Sequence, residues 1–206
     1  MGLISKFILP ADVDLNESLI KQAQIARLVV SDLYKACIHD DREALRAISI
    51  VARRARKIKS TNMAQLLDVF IAPYDKESIY RMITQLDWIT LAVKHFQLEA
   101  EVYDTHSLSD YDSILKALLD MATALEEGIS RLADKDFRAI AKCTEQVHDQ
   151  YDTVVEMCAN ATAALLQQDD IKRIIRHKDM LAQLKEIARR IHITSNTLED
   201  MTIKVV

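Results

Sequence analysis

The chain has 206 residues, 50% of them hydrophobic and 28% charged, with only two glycines and two prolines. So few breakers exclude a sheet protein, which needs many turn residues, and favour an all-helical fold large enough to bury its own core. A net charge of −4 and an aromatic content of 5% give no footprint for nucleic acid.

The first helix is predicted from about Leu15 to Ile38, where Leu19, Ala23, Ile25, Ala26, Val29, Val30, Leu33 and Ala36 recur at helical spacing. His39-Asp40-Asp41 interrupts it. Asp41 reads as the N-cap of a second helix, Arg42 to Phe70, with Glu43 in its first turn. Pro73 ends that stretch, because the residue before a proline is pushed out of the α region. Asp75 caps a third helix that runs to about Val102. Asp104-Thr105-His106-Ser107-Leu108-Ser109-Asp110 reads as a loop at the midpoint of the chain. The fourth helix covers roughly Tyr111 to Leu132, and Asp134-Lys135-Asp136 is a short turn. Asp136 caps a fifth helix to about Leu166, Gln167-Gln168-Asp169-Asp170 breaks the chain again, and a sixth helix runs from Ile171 to near the C-terminus.

The order is helix, acidic turn, long helix, break, long helix, and then the same again. We therefore expect one domain over 1–206 with an internal repeat of approximately 11–103 and 110–206. Six antiparallel helices would pack as two tandem three-helix bundles. Helices of this length depend on bundle packing for their stability.

Cys37, Cys143 and Cys158 are isolated thiols without a CxxC, which suits buried apolar cysteines in a reducing compartment. No apolar run approaches the roughly 20 residues of a membrane-spanning helix. The start, Met1-Gly2-Leu3-Ile4-Ser5-Lys6-Phe7-Ile8-Leu9-Pro10, is apolar but too short for a signal peptide and lacks a cleavage site. Ser5 stands one position too early for a myristoylation signal. The expectation is a cytoplasmic protein, at most peripheral to a membrane.

Several constellations could carry chemistry. Glu145-Gln146-Val147-His148 has the Glu-x-x-His spacing of di-iron bundles, but that chemistry needs a second such motif and glutamates from two other helices. A mononuclear site from Glu145, His148, Asp149 and Asp152 is the weaker alternative, against a plain solvated face. Arg53-Arg54-Ala55-Arg56-Lys57-Ile58-Lys59 is the dense basic run. Arg53, Arg54, Lys57 and Lys59 form a candidate patch for docking an acidic partner, phosphate groups or a membrane surface, against a solvated helix face. A second, more diluted basic cluster comprises Lys172, Arg173, Arg176, His177, Lys178, Arg189 and Arg190. Trp88 falls on an apolar stripe with Ile83, Leu91 and Ala92, as a core or interface residue, and the methionines fill core gaps. There is no Gly-x-Ser-x-Gly, no phosphate-cradling glycine loop and no HExxH.

One stretch is more specific. Leu66-Leu67-Asp68-Val69-Phe70-Ile71-Ala72-Pro73-Tyr74-Asp75-Lys76-Glu77-Ser78-Ile79-Tyr80, followed by Asp87-Trp88-Ile89, resembles the linker of PhoU-like phosphate-transport accessory proteins. Leu198-Glu199-Asp200-Met201-Thr202-Ile203-Lys204 is similar to the ending of that family, and Phe7-Ile8-Leu9-Pro10 to its start. The resemblance implies a pair of three-helix bundles. It also implies acidic pairs, spaced i, i+4 on the second and third helices of each half, that bind metal ions. Residues at that spacing share one helix face, and facing pairs make a hard-oxygen site.

Carried over by position, the pairs fall on Ala52 and Arg56, Asp87 and Leu91, Glu145 and Asp149, and Lys185 and Arg189. Three of these positions, Asp87, Glu145 and Asp149, keep a carboxylate, and Arg56, Lys185 and Arg189 are cationic. A dication would meet repulsion and too few hard ligands. We expect inter-helix charge pairs instead, Arg56 with Asp87, and Lys185 and Arg189 with Glu145 and Asp149.

The resemblance implies a non-enzymatic cytoplasmic regulator or accessory protein of inorganic phosphate transport, docking on a phosphate permease or its regulatory partner and self-associating as a homo-oligomer, with a dimer expected. No catalytic residue and no cofactor is expected. The alternatives are a metal-binding bundle holding a divalent or ferric ion at Glu145, Asp149 and Asp87, and a generic helical adaptor.

Overall fold

The computed structural model describes residues 14–105 and 108–204. Its regular structure is six long helices: α1 (Leu15–Ile38), α2 (Arg42–Asp68), α3 (Lys76–Val102), α4 (Asp112–Ser130), α5 (Phe137–Leu165) and α6 (Ile171–Ile203). A single 3₁₀ turn, Ser109–Tyr111, precedes α4. The expected start at Phe7-Ile8-Leu9-Pro10, the Met1-Gly2 terminus, and His106 and Ser107 of the mid-chain loop lie outside the described residues.

Aspartates set the starts of every long helix but α4, which follows the 3₁₀ turn without a side-chain cap. Asp41 accepts from the Glu43 and Ala44 amides, Asp75 from Ser78, and Asp136 from Ala139, each satisfying an otherwise orphaned donor. Asp14 and Asp170 cap α1 and α6 in the same way. Asp40, Asp104 and Lys135 turn the chain just past α1, α3 and α4 with positive φ of 51°, 52° and 54°. Helix α2 stops at Asp68, two residues short of the expected Phe70, because Val69 already has extended backbone. The chain from Val69 to Asp75 then forms a linker on which Phe70 and Ile71 stand exposed at 95% and 81%, beside the exposed Leu67 of the last turn of α2.

The helices form two three-helix bundles, α1–α3 and α4–α6, joined where α1 packs on α4 and α3 on α6. Helices α2 and α5 therefore lie at the two outer edges, each packed chiefly on its own bundle. Neighbours run antiparallel. The α2 end meets the α1 start through Ser18 Oγ and Gln65 Oε1 at 2.9 Å. Tyr74 donates its hydroxyl to the Leu132 carbonyl at 2.6 Å, fixing the linker to the end of α4. Arg81 pairs with Asp200, fixing the start of α3 to the end of α6.

The core is continuous across both bundles. It is built from Leu19, Val29 and Leu33 of α1, Met82, Leu86 and Phe96 of α3, Leu118 and Met121 of α4, and Leu184, Ile187 and Ile191 of α6. Gly128 marks the tightest crossing: a Cβ there would come within 2.9 Å of Leu198 and 3.2 Å of Cys143. One buried polar network ties the first bundle. Gln22 donates to the Ile83 carbonyl at 2.8 Å and accepts from Asn62 at 2.8 Å, so α1, α2 and α3 share one set of hydrogen bonds.

Candidate functional site

Helix α2 is amphipathic in an unusual sense. Leu45, Ile48, Ala52, Ala55 and Leu66 face the core. Between Ala44 and Leu67 the charged positions are Arg46, Arg53, Arg54, Arg56, Lys57 and Lys59, with no carboxylate among them. Because α2 is an edge helix, Arg53, Arg54, Arg56 and Lys57 are all exposed. Such an edge concentrates positive potential on a protein whose net charge is negative.

The residues on this face divide by direction. Arg54 turns toward α1, lining a groove with Lys21, Arg27 and Glu126. Arg53 and Arg56 turn toward α3, lining a notch of about 60 Å³ with Ala52, Asp87, Thr90, Leu91 and Lys94. Lys59 leaves the expected docking patch altogether. Its ammonium sits 2.7 Å from the Asp87 carboxylate, in a half-buried pair.

That pair corrects the expected partnership of Arg56 with Asp87. The register of α2 against α3 is set by contacts such as Ser49 Oγ to Gln97 Oε1 at 2.7 Å. About three turns further along, the same antiparallel register brings Lys59, and not Arg56, across from Asp87. Arg53, Arg56 and Lys94 make no ion pair among the described residues.

The α5–α6 side corrects the second expectation. Arg189 binds Glu186 of its own helix at 2.7 Å, and Arg190 binds the same carboxylate at 2.6 Å. The hydrogen bond from Arg189 is the largest influence holding Glu186 below the usual carboxylate range. Lys185 lies over a groove with Val155, Cys158 and Ala159, more than a turn of α5 beyond Asp149. The register again decides, since Cys158 already lies opposite Leu181. Glu145 and Asp149 are exposed on the outer face.

Three rings occupy the seam instead. His192 stacks on Tyr151 at 4.5 Å and meets His148 edge-on at 4.7 Å. His148 was legible as part of Glu-x-x-His, but its partner His192 lies on another helix and no local pattern marks it. Burial, then the charge of His148, pushes the His192 imidazole toward its neutral form. Trp88, expected in the core or an interface, is 40% exposed and lies under the Arg190 guanidinium at 4.5 Å.

The residues present do not fit a carboxylate metal cluster. Asp87 is already neutralised by Lys59 at 2.7 Å, and Asp87 sits in the other bundle from Glu145 and Asp149. Among the described residues no group of three or more His, Cys, Asp and Glu side chains converges on a metal position. Burial pushes the Cys37 thiol up to about 12 and the Cys158 thiol up to about 11, and raises Cys143 as well, which favours the neutral thiol at each.

A larger cleft of about 480 Å³ lies at the far end of the molecule, between the α1–α2 turn, the end of α3 and the start of α6. It holds Lys172, Arg173, Arg176 and His177 of the second basic cluster, interleaved with Asp40, Asp104 and Asp170, and two of its arginines are paired: Arg42 with Asp104 at 3.5 Å and Arg173 with Asp110 at 3.2 Å. His177, buried there, shares a hydrogen bond with the Tyr111 hydroxyl at 2.9 Å.

No family model matches the chain and no curated protein matches it in sequence. Solved structures do match it in fold. A PhoU-like protein from Shewanella oneidensis MR-1 superposes with a TM-score of 0.77 at 12% identity, covering 92% of this chain and 99% of its own. A putative PhoU-like phosphate regulatory protein from the same organism gives 0.78 at 12% identity, over 91% and 98%. PhoU from Pseudomonas aeruginosa gives 0.66 at 13% identity, over 94% and 97%. The chain thus has the PhoU-like fold over nearly its whole length, as its linker and C-terminal motifs suggested.

Proposed function

We propose that this chain is a non-enzymatic regulatory or accessory protein of inorganic phosphate transport, and that it acts by docking its basic α2 edge on an acidic surface of a phosphate permease. The observation that carries the reading is the whole-length fold likeness to phosphate regulatory proteins. The acid-free cationic edge supplies the means: it steers and orients an acidic partner, and its contribution weakens as salt rises. In this reading the protein works from the cytoplasmic side without a cofactor, as a single domain with an internal repeat and as a homo-oligomer. No helix among the described residues is long and apolar enough to cross a membrane.

Recovery of the phosphate permease with the affinity-tagged chain from detergent-solubilised membranes of its native host tests the proposal. We expect the permease to co-purify, and Arg53→Glu/Arg54→Glu/Lys57→Glu to lower its recovery at least several-fold. Equal recovery with the reversed charges would remove α2 from the interface, and absence of the permease would remove the partner.

A further inference from the structure

The notch between α2 and α3 is built differently from the rest of the basic edge. Its floor is Ala52 and Thr90, both buried, and the short side chain of Ala52 leaves the space open. Thr90 donates its hydroxyl proton to the Asp87 carbonyl at 2.8 Å, so the charged groups of the rim dominate what the notch offers a ligand. The rim carries Arg53 and Arg56 from α2 and Lys94 from α3. The one carboxylate in the notch, Asp87, is matched by Lys59 at 2.7 Å, which leaves three lining cations without an ion-pair partner among the described residues. Lys94 is half-buried, so part of its charge is held where water screens it less.

We infer that this notch binds a tetrahedral phosphate-type oxyanion. Guanidinium groups suit such a ligand because their planar forks match its oxygens in pairs, and an ammonium from the opposite helix adds a point charge. At about 60 Å³ the notch is far smaller than the cleft of about 480 Å³ and has room for a small ion at its floor. The ligand is therefore free inorganic phosphate or the terminal phosphoryl group of a longer molecule whose remainder stays outside. A bound oxyanion would neutralise the α3-facing side of α2, so occupancy would change the charge that the edge presents to a partner. This inference deepens the docking proposal, but the purified chain tests it without any partner, so the failure of one leaves the other standing.

Calorimetric titration at constant ionic strength tests the site, using inorganic phosphate, pyrophosphate and chloride. Saturable binding of phosphate identifies the free ion. Saturable binding of pyrophosphate alone identifies the phosphoryl group of a larger ligand. In either case Arg56→Gln/Lys94→Gln should weaken binding about tenfold or more, since charge-assisted hydrogen bonds are lost. Arg54→Gln/Lys57→Gln, which removes as much charge from the same edge but none from the notch, should leave it unchanged. All four side chains are solvent-accessible and outside the core, and a melting curve of each variant confirms its folding. Neither anion exceeding chloride, or equal weakening by the two variants, overturns the assignment.

Discussion

His177 and His192 are the side chains whose charge state the fold constrains most directly. His177 is buried against Tyr111, and His192 is held between Tyr151 and His148. Burial depresses both below the ordinary value of 6.5; Arg173 adds to the effect at His177 and His148 at His192. The unfolded chain therefore binds more protons than the folded one just below neutrality, so stability falls as pH drops through 6.5. Urea unfolding should show a lower midpoint at pH 5.5 than at pH 7.5, and His177→Gln/His192→Gln should shrink that difference. A midpoint independent of pH in this window would mean that these rings gain as much as they lose on charging.

At the scale of elements, α2 does two jobs on two faces. Its inner face is locked to α1 and α3 by the Gln22–Asn62 network as well as by apolar packing. Gln22→Leu strands the Asn62 amide, which keeps only its longer bond to the Ser18 carbonyl at 3.1 Å, and removes a donor from Ile83. We expect a loss of about 1–3 kcal/mol in urea titrations, larger than a surface change gives. The outer face is free to carry charge because it packs against nothing in the fold.

The elements themselves were legible in the sequence. Asp41, Asp75 and Asp136 announce helix starts because a capping carboxylate acts within one turn, and the apolar period of α1 needs no distant partner. The linker was legible too, since Pro73 and the Asp75 cap act within the local turn from α2 to α3, whereas the bond from Tyr74 to Leu132 is long-range. The side-chain partners were not. Lys59 and Arg56 are one turn apart on α2, and which of them meets Asp87 depends on how far α3 slides past α2. That slide is set by the core and by the seven-residue linker Val69–Asp75, not by any charge pattern. The same reason moved Arg189 onto Glu186 and left the seam to His148, Tyr151 and His192. Trp88 is outside the core although its stripe neighbours Ile83 and Ala92 are buried, because its own position turns out toward α6 and Arg190.

At the scale of the whole molecule, the two bundles place α2 and α5 at opposite edges, with contrasting charge. From Cys143 to Leu165, α5 carries Glu145, Asp149, Asp152 and Glu156 and no Lys or Arg, while the middle of α2 is entirely cationic. The fold thus displays one basic and one acidic edge, and the account rests on the basic one being the working surface. The most direct measurement is phosphate uptake in cells whose own copy of the gene is deleted and replaced by wild type or by Arg53→Glu/Arg54→Glu/Lys57→Glu. The account predicts that wild type restores controlled uptake and that the reversed edge does not, although the variant melts within a few degrees of wild type. Full restoration by the folded, charge-reversed protein would contradict it.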